Sequence, residues 1–227
     1  MMELNTTNSK TAIDRIKELN IAGLDHLENS YYEGALACFA EAASLAKSQG
    51  DLAEEARQLL LIAEVHCANK QLEQALVCYG ETLELYRRLG DGRLAAALCN
   101  NIGLLLAQLR RYEEALDTFK EAWREFEAYG ACEYAADQLA NMGSVCRDCK
   151  NHKKALDYYR QALSRFELLN VSVKIADQYV NLGYIFVLQE KKTAAMEHFT
   201  KAEALYRLSG EEQKADKTAQ NIQALLT

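Results

Sequence analysis

Apolar residues return along this chain at offsets of three, four and seven, the spacing that lays side chains on one face of a helix, and the pattern recurs every forty residues. Ala35, Ala75, Ala115, Ala155 and Ala195 set the phase. A ring follows four positions later each time, as Phe39, Tyr79, Phe119, Tyr159 and Phe199. A small residue comes three further on, as Ala42, Thr82, Ala122, Ala162 and Ala202. A second aromatic set, Tyr86, Phe126, Phe166 and Tyr206, keeps the same interval, with Ala46 in its place in the first unit.

Gly50, Gly90, Gly130 and Gly210 share one phase, Asn170 filling the fourth place, and these are the residues that accept the left-handed conformation at a helix end. Gly23, Gly103, Gly143 and Gly183 share another, with Ala63 in register, twelve residues before the repeating alanine. Glycine inside a helix costs about 1 kcal/mol relative to alanine, so this set is expected where two antiparallel helices approach closely, small residue against small residue. The pattern predicts helices over 10–28, 31–48, 52–68, 72–88, 92–108, 112–128, 132–148, 152–168, 172–188, 192–208 and 212–226. Thr11 and Asp14 read as a capping box for the first helix. Residues 1–9 read as a disordered tail ahead of one domain, 10–227, with repeats over 10–51, 52–91, 92–131, 132–171 and 172–211 and a polar capping helix over 212–226.

Composition narrows the function. The 227 residues include no proline and are 49% hydrophobic, enough to bury roughly 70% of the unfolded surface. A net charge of −7 gives no general attraction for phosphate backbones or anionic membranes, so nucleic acid is not expected as a partner. No apolar run approaches the roughly 18–20 residues that span a bilayer, and the opening residues lack the apolar core of a secretory signal, so a cytoplasmic protein without membrane insertion is expected. Seven scattered cysteines suit reduced thiols better than a disulfide framework.

Asn101-Ile102-Gly103 followed by Tyr112, Ala115, Phe119 and Ala122 resembles the tetratricopeptide repeat, and the likeness covers almost the whole chain. The forty-residue spacing and the Asn-x-Gly triplets are similar to the lengthened variant of the Leu-Gly-Asn repeat proteins, which bind regulatory peptides. Two departures stand out: the family's common proline is replaced by the turns Gly50-Asp51 and Gly90-Asp91, and Ile21 stands where later units have Asn. The resemblance implies an all-α, right-handed solenoid of five antiparallel helix pairs plus a capping helix. It also implies that the first helix of each pair lines a concave groove in which a partner lies.

Carried over by register, the groove holds a ladder of amides, Asn101, Asn141, Asn181 and Asn221, with Ile21 and Leu61 in the first two units. A row of Asn side chains can pair with both the C=O and the N–H groups of an extended peptide without reading its side chains. Each amide could equally hold the backbone of the neighbouring repeat. Lys17, Asn20 and Leu24 face the groove by the same register in the first unit, and Arg57, Leu60 and Glu64 do so in the second. Asn100 and Leu104 follow in the third unit, Asp137, Ser144 and Arg147 in the fourth, and Asp177, Tyr184 and Val187 in the fifth. Asp137 and Asp177 fall where chaperone-binding members grip a terminal carboxylate, so the expected partner is a peptide or helix with basic or amide side chains, anchored by the leucines and Tyr184.

Cys146, Cys149 and His152 form a lone C-x-x-C with a nearby His, which lacks the fourth ligand of a structural zinc. Cys146 and Cys99 fall at packing positions and read as buried thiols. No phosphate loop or nucleophile elbow is present, since no strand is evident. The sequence therefore reads as a non-enzymatic interaction scaffold, needing no metal or other cofactor. A sensor of a signalling peptide and a self-assembling structural protein are the alternatives.

Overall fold

In the computed structural model, residues 2–226 have a described backbone and residues 12–226 described side chains, and all regular structure among them is helical. The helices are α1 Met2–Glu28, α2 Tyr32–Gln49, α3 Leu52–Ala68, α4 Leu72–Leu89, α5 Gly92–Gln108, α6 Tyr112–Ala128, α7 Cys132–Asp148, α8 His152–Leu169, α9 Ser172–Leu188, α10 Lys192–Leu208 and α11 Glu212–Leu226. Apart from α1, every boundary lies within one residue of the position expected from periodicity. α1 begins at Met2 rather than at 10, so the backbone of 2–9 continues the helix where a tail was expected; no Gly or Pro interrupts that segment. Thr11, half of the expected capping box, has its side chain outside the described residues.

The chain packs as two compact units, Met1–Leu105 and Leu106–Thr227. In the first, α1, α2, α3 and α4 pack in sequence order; in the second, α6 to α11 do the same, and α7 also touches α9. The repeating alanine and ring of an even-numbered helix pack against its neighbours, as α2 and α8 show. Ala35 and Phe39 of α2 meet Val65 of α3, and Ala155 and Tyr159 of α8 meet Cys146 of α7 and Leu182 and Ile185 of α9. The five repeating alanines are all fully buried, and Thr82, standing at the small-residue position, satisfies its hydroxyl by donating to the Cys78 carbonyl at 2.8 Å.

Three glycines of the helix-internal set, Gly23, Gly143 and Gly183, face rings and not small residues. A β-carbon on Gly23, Gly143 or Gly183 would lie 2.6 Å from the ring of Phe39, Tyr159 or Phe199, respectively. The expected pairing of small with small is therefore corrected: glycine gives the buried ring its seat. Where Ala63 takes that position the ring is Tyr79, at 9% exposure, against 0% for Phe39 and Tyr159.

Gly50, Gly90, Gly130 and Gly210 adopt φ near +70°, and Asn170 has φ +56°, each just past an even-numbered helix as expected. A second left-handed set was not foreseen. Ser30, Lys70, Arg110, Lys150 and Glu190, with φ between +58° and +62°, follow α1, α3, α5, α7 and α9. The residue after each donates its N–H back into the helix, as Tyr31 does to His26 and Asn151 to Cys146, which closes the last turn and offsets the backbone cost. Asp51, Asp91 and Asn151 cap the following helices by accepting from the N–H of Glu54, Leu94 and Lys154.

Candidate functional site

In the C-terminal unit α7, α9 and α11 are tied along one side by a bond pattern that repeats with the chain. Lys174 on α9 donates to Asp137 on α7 at 2.7 Å, and Lys214 on α11 donates to Asp177 on α9 at 3.2 Å. Asp177 also accepts from the Tyr206 hydroxyl at 2.6 Å. Burial, and then the neighbouring Asp177 carboxylate, push that phenol well above its ordinary pKa. Both acids at the expected groove positions are thus answered by a lysine one repeat on. Each ion pair joins successive odd-numbered helices, so part of the acids' charge is engaged within the chain.

The amides follow the same line. Asn181 donates to the Gln178 side-chain oxygen at 3.3 Å and Asn221 to the Tyr184 hydroxyl at 3.0 Å; Asn141, Asn181 and Asn221 are all half-buried. Tyr184 stacks edge-on against Phe199, with ring centroids 5.3 Å apart. Around Asp177, Tyr184, Lys214 and Asn221 lies a cavity of about 220 Å³ that Lys217 and Thr218 also line. On α7 the Ser144 hydroxyl accepts from Tyr159 at 3.1 Å and donates to the Ala140 carbonyl, while Arg147 turns aside to Asp148 at 2.9 Å.

The N-terminal unit presents a different surface. Ile21 is 72% exposed, Leu24 45% and Leu104 49%, large apolar side chains at the register of the amide row or three residues beyond it. Lys17 pairs with Asp14 at 3.5 Å and Arg57 with Glu54 at 3.4 Å, both within their own helices. Asn100 donates to the Asn101 oxygen at 3.3 Å. Leu60 is half-buried and Glu64 is exposed.

Sequence reasoning missed Lys174 and Lys214. The signal was an opposite charge 37 residues after each acid, one period less one helical turn. It also missed the buried glutamines Gln58, Gln138 and Gln178, which share a phase inside the odd-numbered helices. The two tyrosines among the five main rings were noted only as aromatic, although Tyr159 reaches Ser144, and Tyr79 lies 4.0 Å from the Cys67 sulfur.

Cys146 is buried, with its thiol pushed up in pKa by that burial, whereas Cys149 is exposed and donates to the Cys146 carbonyl at 3.4 Å. Among the described residues no three His, Cys, Asp or Glu side chains converge as metal ligands, so Cys146, Cys149 and His152 are not brought together as a site. No described helix is long and apolar enough to cross a membrane.

Removing the Asp177 acceptor strands the Tyr206 hydroxyl in a buried position, a loss of about 1–3 kcal/mol. Asp177→Ala is accordingly expected to lower the urea midpoint, and Tyr206→Phe in that background to recover much of the loss; additive effects in the double-mutant cycle would refute the coupling.

No curated protein matches the sequence. Among solved structures, aspartyl phosphate phosphatase F from Bacillus subtilis aligns with a TM-score of 0.79 and 19% identity, over 96% of this chain and 57% of that one. The apo form of RapI aligns with a TM-score of 0.75 at 19% identity, over 89% of this chain and 74% of that one. A Rap protein complexed with competence and sporulation factor aligns with a TM-score of 0.66 at 18% identity, over 90% and 57%. The chain thus spans little more than half of the phosphatase, and at these identities the likeness is one of fold, the all-α solenoid of helix pairs. The tetratricopeptide repeat profile matches residues 54–124 and 135–207, more than half of the sequence. On that match, the chain belongs to the tetratricopeptide repeat family.

Proposed function

We propose that the chain is a non-enzymatic interaction scaffold that holds an extended or helical segment of a partner protein against its odd-numbered helices. The observation that carries this reading is the row Asn141, Asn181 and Asn221, half-buried and in phase on α7, α9 and α11. Each side-chain amide offers two donors and an acceptor. The bonds described above engage one donor of Asn181 and one of Asn221, so the acceptor oxygens and second N–H groups serve a peptide backbone. In the N-terminal unit Ile21, Leu24 and Leu104 supply apolar anchors of the kind that dominate binding energy. In the C-terminal unit the partner's side chains meet amides and a tyrosine, which favours amide-bearing residues. Seven free thiols suit a reducing compartment such as the cytoplasm.

A second reading, sensing of a signalling peptide, is favoured by the likeness to the Rap protein complexed with competence and sporulation factor. Solution scattering separates the two, since a sensor changes its dimensions when the peptide binds and a rigid scaffold does not.

Losing both amides removes about 0.5–1.5 kcal/mol per hydrogen bond made to the partner, roughly a tenfold weakening or more. Native chain and the Asn141→Ala, Asn181→Ala variant serve as paired baits in a cell lysate, with quantitative mass spectrometry of the retained proteins. Partners held by the native chain are expected to fall at least tenfold on the variant while its circular dichroism stays unchanged. Equal recovery on the two baits would take the amide row out of the binding account.

A further inference from the structure

The C-terminal unit has a second concavity, lined from α6, α7 and α8, that shares no residue with the amide row. It is a cavity of about 220 Å³. Leu139 and Met142 of α7 contribute apolar surface, the rings of Trp123 and Tyr158 add aromatic walls, and Lys120 and Arg124 bring two cations.

Three observations at this place point to a ligand. Trp123 is the only tryptophan of the chain, and its indole N–H is buried without a hydrogen-bond partner. Natural proteins rarely leave such a donor unanswered. Arg124 is exposed and engages no acid among the described residues, while Lys120 is joined only to the exposed Asp117, at 2.9 Å. A locally cationic spot on a chain of net charge −7 selects acidic groups against the general repulsion of the whole. The volume admits one large apolar side chain and is too small for a helix.

We propose that this cavity docks an acidic protein segment, which inserts one Leu-, Met- or Phe-sized side chain between Trp123 and Tyr158. Its flanking carboxylates meet Arg124 and Lys120, and a backbone carbonyl beside the inserted side chain accepts from the indole once the ring turns. Aromatic and arginine side chains gathered at one pocket are the composition of an energetic anchor point. Apolar insertion provides affinity, and the cations decide which apolar segments are admitted.

The test is selection of random dodecapeptides displayed on phage against the native chain, with the Lys120→Glu, Arg124→Glu variant used to remove peptides that bind elsewhere. Both changed residues lie on the surface, and circular dichroism and the urea midpoint establish that the variant folds. The surviving peptides, made synthetically, are titrated against the emission of Trp123. The expected result is a set carrying Asp or Glu on both sides of one large apolar residue. These peptides shift the emission saturably, bind the charge-reversed variant at least tenfold more weakly, and lose binding at least tenfold when the apolar residue becomes Ala. A selection that leaves no peptide dependent on Lys120 and Arg124 overturns the proposal. So do survivors without acidic residues, or survivors that leave the emission of Trp123 unmoved.

Discussion

Phe199→Ala is expected to destabilise the C-terminal unit by about 3–5 kcal/mol, the range for truncating a fully buried ring. Phe199 is 1% exposed, seats against Gly183 and meets the edge of Tyr184. The position directly facing the ring is a glycine, which brings no side chain of its own toward the void. The cavity therefore stays open, and the cost falls toward the upper end of the range. Equilibrium urea unfolding followed by helical signal measures it, and a loss below about 1 kcal/mol would mean that the ring does not organise its repeat. Tyr184 depends on Phe199 for its position, so the same substitution disturbs the hydroxyl to which Asn221 donates.

Gly143→Val attacks the same contact from the other side. A β-carbon there already stands 2.6 Å from Tyr159, and the ring cannot slide away freely because its hydroxyl donates to Ser144. Overpacking of this kind costs about 1–3 kcal/mol, and the branched side chain brings little helix propensity to offset it. A lowered thermal midpoint is expected, with part of the loss recovered in the Gly143→Val, Tyr159→Phe pair, where the ring is free to shift. The chain contains its own precedent: Ala63 fills the equivalent position in α3, and there the ring is the slightly more exposed Tyr79. Unchanged stability in the single variant would show that the glycine is not required for packing.

The helices were legible in the sequence because α2, α4, α6, α8 and α10 carry small, aromatic and small residues in the same phase, five times along the chain, and repetition turns a weak local signal into a strong one. Gly50, Gly90, Gly130 and Gly210 were legible as helix ends because glycine declares a left-handed conformation openly. Ser30, Lys70, Arg110, Lys150 and Glu190 adopt the same conformation without declaring it, since at those places the returning hydrogen bond and solvent exposure decide the geometry and not the residue type. The partner of each helix-internal glycine was misread because small residues on a second helix are as regular as the rings, and periodicity alone cannot say which of two regular sets lies opposite.

At the candidate site the row of amides was legible as a register, but its chemistry was not. Asp137 and Asp177 looked like free carboxylates because their lysines stand 37 residues away, a distance that only the stacking of α7, α9 and α11 makes short. The cavity at Trp123 had no signal in a single sequence, since Lys120, Trp123, Met142 and Tyr158 belong to three helices and share no phase.

The forty-residue interval admits no insertion or deletion from the first repeating alanine to the last. Excising or duplicating one interval at a joint would keep every surviving helix in register and change side-chain neighbours only at the new junction, because stability in such arrays is close to a sum over adjoining units. Length is thus a quantity that heredity can change in whole steps, lengthening or shortening the molecule while redrawing only the interface at the junction.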